Sequence, residues 1–189
     1  MSRRFPNLFG NLRDKKSYPG IDEVIYDPAK VVVPPFLPDI PSARAEIAQY
    51  YQSITRVDRG VARLFEHLKK ANLWDETLIV FTSDHGMAFA GAKTNVYDSG
   101  LRVPFLVRNP YEAKRGITSD AVVTHADVTP SLLDFAQGYD PEKQAPKKLA
   151  PVPPIPNQEN AGQKFARYHG RSWLPILGQS SSGDWKNST

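Results

Sequence analysis

Cysteine is absent from the 189 residues. Its absence excludes disulfides, thiolate metal sites and a cysteine nucleophile from this chain, and it leaves the compartment open. No run of 18 apolar residues occurs, so no segment reads as a membrane-spanning helix. The opening Met1-Ser2-Arg3-Arg4-Phe5-Pro6 carries charge but leads into no apolar stretch, so no signal peptide is read there. A concentrated basic face is missing too. Lys and Arg number 24 against 20 Asp and Glu, and the net +4 is spread along the chain, with short pairs such as Lys69-Lys70 and Lys147-Lys148. A nucleic-acid surface needs its cations gathered on one stripe, so no nucleic-acid partner is expected. The mild basicity reads as solvated surface that could still draw in an anionic substrate. There is no internal repeat.

What is present changes character along the chain. In residues 1–41, Pro28, Pro34, Pro35, Pro38 and Pro41 forbid a helix and bias their predecessors toward extended backbone. Val31-Val32-Val33 fits either a strand or an extended segment laid on a domain surface. From Ser42 to about Ala71, Ile47, Tyr50, Tyr51, Ile54, Val57, Val61, Leu64, Phe65 and Leu68 recur with the period of a helix for over five turns. Ser42 is the expected N-cap. Gly60 is the weak point, explicable if another element packs closely there. Thr77–Phe81 reads as a buried strand of a parallel sheet. Val103–Val107 and Ala121–Thr124 are the next strand candidates, and Val128–Ala136 a short helix with Pro130 in its first turn. This order favours an α/β architecture. Residues 138–163, rich in Pro, Lys, Gln and Asn, read as a linker or insertion. Residues 164–189 read as a docking segment followed by a frayed tail.

The stretch that bears chemistry is Thr82-Ser83-Asp84-His85-Gly86, directly after the apolar strand. In open α/β sheets, ligands bind beyond the C-terminal ends of strands. A carboxylate and an imidazole at that place are donor types for a divalent ion. Taken alone, Asp-His-Gly after a strand is more often a turn with a capping Asp than a metal site.

The surroundings of the tripeptide alter that balance. Tyr50-Tyr51-x-Ser53-Ile54-x3-Asp58 leads to Phe81-Thr82-Ser83-Asp84-His85-Gly86. Lys93, Gly100-x-Arg102-Val103-Pro104, Asp127-Val128-Thr129-Pro130-Ser131-Leu132-Leu133 and His169-Gly170-Arg171-Ser172 follow in order. Over about residues 26–178 this resembles the sulfatase family of the alkaline-phosphatase-like superfamily, with wording most similar to bacterial heparan N-sulfatase (sulfamidase)-like members. The resemblance implies a partial alkaline-phosphatase-like α/β domain, a parallel-rich mixed sheet flanked by helices. Residues 1–137 would be the C-terminal part of a catalytic domain, with the metal-site strand and loop at 77–93.

By that resemblance Asp84 is the acidic ligand of a divalent metal, with calcium the expected ion. His85 stands at the neighbouring ligand position, where calcium-binding members often carry Asn and phosphonate or phosphodiester hydrolases carry imidazole. Lys93 matches the lysine that holds sulfate oxygens. Asp58, Asp98, Arg102, His125 and His169 are candidates for supporting the ligands. Asp58 is expected on the packed face of the long helix. For Asp98 a turn or cap role stands equal to a site role. For Arg102 the salt-bridge role stands first. Asp127 reads as a helix cap, His67 as a solvated histidine. The family's nucleophile is a formylglycine made from a C-x-P-x-R or S-x-P-x-R motif, which this chain lacks, as it lacks the family's paired N-terminal aspartates. The expectation is therefore a fragment that is inactive alone, from an enzyme cleaving sulfate esters or N-sulfo groups of sulfated carbohydrate. The alternatives are a phosphodiester or phosphonate monoester hydrolase, or a non-catalytic remnant or binding module. Full-length relatives are often exported; the location of this chain is left open.

Overall fold

A computed structural model describes residues 9–11, 18–20, 22–136 and 170–180. Contacts divide the chain into two compact units: residues 1–77 with 81–105, and residues 78–80 with 106–189. The candidate linker at 138–163 lies outside the described residues.

In the first unit the helical period becomes one 30-residue helix, α1, Pro41–Lys70. It starts one residue before the expected cap. Ile40 is the extended N-cap residue and makes no side-chain cap bond, while Pro41 takes the first helical position. Proline suits that place because its φ is preset and its missing N–H would have had no partner. Ser42 is therefore inside the helix rather than its cap. At the far end, Asn72 turns left-handed with φ of 57°, and the amide of Leu73 donates to the Leu68 carbonyl at 2.9 Å. Lys69 and Lys70 sit in the last turn, where the helix dipole favours cations.

Extended chain packs on the N-terminal half of α1. Val31, Ile47 and Ala48 are buried together, with Tyr26, Val33, Leu37, Tyr51 and Phe89 around them. Val31–Val33 is thus a surface-laid segment and not a strand. Burying Val31 and Ile47 contributes about 1.5–3 kcal/mol each. Arg44 fastens the entry to the helix. It donates to both oxygens of Asp39, at 2.5 and 2.7 Å, and its Nη1 reaches the carbonyls of Pro28, Ala29 and Val31. That hydrogen bonding holds the Asp39 carboxyl below its ordinary value and raises the Arg44 guanidinium above its own. Further along, Gln52 pairs with Glu23, Arg59 with the Asp22 carbonyl, and Arg56 with Asn11 at 2.9 Å and the Phe9 carbonyl at 3.1 Å.

Two further expectations for α1 fail. Asp58 is exposed, and its neighbours Ile54 and Val57 are each 48% exposed, so it does not lie on a packed face. The period of the apolar residues was right, but no described residue covers this part of the stripe closely enough to bury it. Nor does any described residue pack against Gly60, where an added Cβ would meet no atom within 4 Å.

Two short strands follow, β1 Ile79–Thr82 and β2 Phe105–Arg108, and they pair antiparallel. Both begin two residues later than expected. An antiparallel pair is compatible with a mixed sheet, and parallel neighbours for β1 are not among the described residues. The alternation of helix and strand is that of an α/β domain, as expected. Between the strands lies a single helical turn, α2, Asp98–Leu101.

In the second unit, the expected strand at Ala121–Thr124 does not form. The Thr124 amide is spent instead on the Asp127 carboxylate, 2.8 Å away, in a capping box that opens a 3-10 turn, His125–Asp127. That turn runs into α3, Val128–Ala136, as expected. Asp127 is buried and also accepts from the Arg171 amide at 2.8 Å. Its carbonyl accepts from the Ser131 hydroxyl at 2.6 Å, and that hydroxyl accepts from the Trp173 amide at 2.9 Å. Ser172 adds a bond to Asp134 at 2.8 Å. Trp173 and Leu174 are thereby buried against α3. No helix among the described residues is long and apolar enough to cross a membrane.

Two substitutions separate propensity from packing. Gly60→Ala is expected to stabilise the protein by about 0.5–1 kcal/mol, because the helix interior gains and no atom is displaced. Asp127→Ala is expected to cost about 2 kcal/mol or more, since a cap is lost and buried amides are left unpaired. Urea unfolding measures both; equal effects would contradict the packing described.

Candidate functional site

Asp84, His85, Lys93, Asp98 and Arg102 all lie on the segment 83–102 that leaves β1. Ser83 turns the chain by donating from its hydroxyl to the His85 carbonyl at 2.9 Å. The Gly86 amide then donates to the Gly100 carbonyl at 2.9 Å. A Cβ on Gly86 would lie 1.9 Å from the Ser99 carbonyl oxygen, and one on Gly100 would lie 2.2 Å from that of Asn95. Only glycine fits at either place. Beyond Gly86, the Lys93 amide donates to the Met87 carbonyl at 3.1 Å and the Ser99 hydroxyl donates to the Gly91 carbonyl at 2.6 Å. Ala92 is wholly buried inside the loop. The segment is closed on itself mainly by its own backbone.

Chemical groups project from this frame. His85 Nδ1 lies 2.7 Å from the Gly86 carbonyl, an oxygen that can only accept, so the contact is a hydrogen bond when Nδ1 carries the proton. In the neutral ring, Nε2 then bears the lone pair. Nε2 lies 3.4 Å from Asp84 Oδ2. The Asp84 side chain is 82% exposed and that of His85 37%. An imidazole nitrogen and a carboxylate oxygen at this separation can both touch one cation. A carboxylate oxygen and an imidazole nitrogen are donor types for a divalent ion, as far as two ligands go. No group of three or more potential ligands occurs among the described residues. Lys93 is exposed on the same loop.

The other candidates are placed as follows. Asp98 is the first residue of α2, and its carbonyl accepts from the Arg102 amide at 2.8 Å. The Arg102 and Asp98 side chains approach to 3.9 Å with more than four-fifths of each exposed. A solvated pair of this kind contributes little, which agrees with the turn and ion-pair roles. Asp58 is on α1, exposed. His125 belongs to the second unit and is exposed at the start of its 3-10 turn. His169 lies outside the described residues. Sequence reasoning missed Ser99 and the Gly86–Gly100 contact as supports of the loop. The signal available was the pair of glycines bracketing the segment.

Comparisons with known proteins converge. The family model described as Sulfatase matches residues 4–139. The human N-sulphoglucosamine sulphohydrolase is 37% identical over 153 residues, covering 80% of this chain and 28% of that protein. An N-acetylglucosamine-6-O-sulfatase of Bacteroides thetaiotaomicron is 34% identical over 131 residues, 64% of this chain and 22% of that protein. Among solved structures, a phosphonate monoester hydrolase from Silicibacter pomeroyi superposes with a TM-score of 0.55 at 25% identity, covering 85% of this chain and 28% of that one. The chain spans less than a third of the length of these relatives.

Gly86→Ala tests the frame. The added methyl must push the Ser99 carbonyl away, so a loss of about 2 kcal/mol or more is expected. Amide exchange in residues 83–102 should accelerate well beyond that of α3. Unchanged protection there would refute the close contact.

Proposed function

Because this chain belongs to the sulfatase family, we propose that it supplies part of the active site of a metal-dependent hydrolase of sulfate esters or N-sulfo groups on sulfated carbohydrate. The observation that carries this reading is the pairing of Asp84 and His85 at the exit of β1, on a loop that also presents Lys93. Asp84 and His85 would hold a divalent ion, which when bound supplies Lewis-acid polarisation of a sulfuryl oxygen. Lys93, exposed on the same loop, offsets charge developing on the transferred group. Asp98 and Arg102 shape the turn behind the loop.

The nucleophile does not come from this chain. It contains no cysteine, and none of its serines begins an S-x-P-x-R run. The formylglycine expected of a full-length enzyme therefore has no precursor here, and the chain alone is inactive in this reading. A second reading, hydrolysis of phosphonate monoesters or phosphodiesters, draws support from the imidazole at His85 and from the phosphonate monoester hydrolase neighbour.

A chimera decides between them. The human sulphohydrolase, with this sequence replacing its matched stretch, is assayed on N-sulfoglucosamine and on a phosphonate monoester. Turnover of the sulfamate is expected, falling about a hundredfold or more with Lys93→Ala, while the isolated chain gives none. Turnover of the phosphonate alone would favour the second reading. A folded chimera inactive on both, or activity of the isolated chain, would refute the assignment.

A further inference from the structure

We infer, resting on the reading of Lys93 as the residue that meets the substrate's anionic group, that Thr94 and Tyr97 receive the sugar ring bearing that group. Tyr97 stacks on a carbon–hydrogen face of the ring, and the Thr94 hydroxyl bonds to a hydroxyl on it. The fold itself uses neither side chain. Of the described tyrosines, Tyr18, Tyr26 and Tyr51 spend their hydroxyls on the Gly10 carbonyl, Thr55 and the Val32 carbonyl. Tyr50 and Tyr111 pack their rings on Phe89 and Phe135. Tyr97 does neither among the described residues, and it is 68% exposed.

A single exposed apolar side chain is ordinary. Tyr97 differs in being presented on fixed backbone beside Val96 and close in the chain to Leu101, also exposed. Its carbonyl accepts from the Gly100 amide at 2.8 Å and the Leu101 amide at 3.0 Å, and the Gly100 carbonyl in turn holds Gly86. A tyrosine held this way loses little freedom on binding, and its apolar face and polar tip match a sugar, which pairs carbon–hydrogen faces with hydroxyls.

Thr94 adds a second, independent sign. Lys93 and Thr94 are the central residues of a turn closed by the Asn95 amide on the Ala92 carbonyl at 3.1 Å. Thr94 has a φ of 68° there. Glycine or asparagine ordinarily takes that place in a turn, and a β-branched residue in it is strained. Its side chain is exposed and has no partner among the described residues, so no contact in the fold offsets the strain. Strain retained beside a candidate site residue points to a ligand that uses the side chain. A ligand whose anionic group meets Lys93 brings its ring beside Thr94 and, three residues on, Tyr97. An aryl ester would offer Tyr97 a face but Thr94 no hydroxyl, so the pair fits a carbohydrate.

NMR spectra of the intact chain, titrated separately with N-sulfoglucosamine and with sodium sulfate, test this through the Lys93, Thr94 and Tyr97 signals. Expected are shifts at Lys93 with both ligands, shifts at Thr94 and Tyr97 with the sugar alone, and sugar binding about tenfold or more tighter than sulfate. Tyr97→Ala is expected to cut that ratio about tenfold, and Tyr97→Phe, which keeps the ring, to preserve it. Thr94→Gly is expected to raise the urea midpoint, since the strain is relieved, and still to lower the ratio. A residue with a structural role alone would leave the ratio unmoved. An unchanged ratio in Tyr97→Ala or in Thr94→Gly, with Lys93 still shifting, would overturn the inference and leave the reading of Lys93 standing. If neither ligand moves the Lys93 signals, that reading falls, and the inference with it.

Discussion

Gly86 and Gly100 approach until their backbones are in contact, with a carbonyl oxygen where any side chain on Gly86 would begin. The geometry of the candidate site follows from that approach. It lets the Gly86 amide reach the Gly100 carbonyl and brings the exit of β1 onto the turn of α2. With those ends joined, residues 87–99 fold into a small closed loop around the buried Ala92, pinned by Met87 to Lys93 and by Ser99 to Gly91. Most of the bonds holding the loop come from main chain. A site built this way can leave its polar side chains outside the framework, available to ligands.

The second unit uses a similar arrangement for a different end. Gly170 also lies against backbone, with the Ala126 carbonyl 2.1 Å from where its Cβ would be. Here the bonds converge on a buried carboxylate. Asp127 serves the start of its own helix through Thr124 and the returning segment through Arg171, and Ser131 extends the linkage to Trp173. Asp127 lowers the energy of two elements at once, which is why a residue that sequence marks only as a cap is buried.

Legibility in the sequence followed the range of the interactions concerned. The helix α1 was readable to within one residue because its period repeats within each turn. Its N-cap was misjudged because Pro41 outweighed Ser42. The strands were found but shifted, and the third was wrong, because a ladder needs a partner that local sequence does not reveal. Asp58 shows the limit of periodicity. An apolar stripe says which face can be buried, and Ile54, Val57 and Leu64, all about half exposed, show that it does not say that the face is covered. At the site, Asp84 and His85 stood out through motif and position. The closure of the loop did not, since it depends on two glycines meeting across many residues.

The same separation between frame and chemistry bears on how such a segment tolerates change. Asp84 and Lys93 stand exposed on a loop closed by backbone bonds, and the side-chain bond of His85 is to the carbonyl of its own neighbour. Replacing these side chains removes few contacts that hold the loop. Replacing Gly86 or Gly100 forces backbone apart while leaving every candidate ligand in the sequence. The glycines therefore constrain the fold and the polar residues the chemistry, and the two sets overlap only at Gly86. There a single residue closes the loop with its amide and orients the imidazole with its carbonyl.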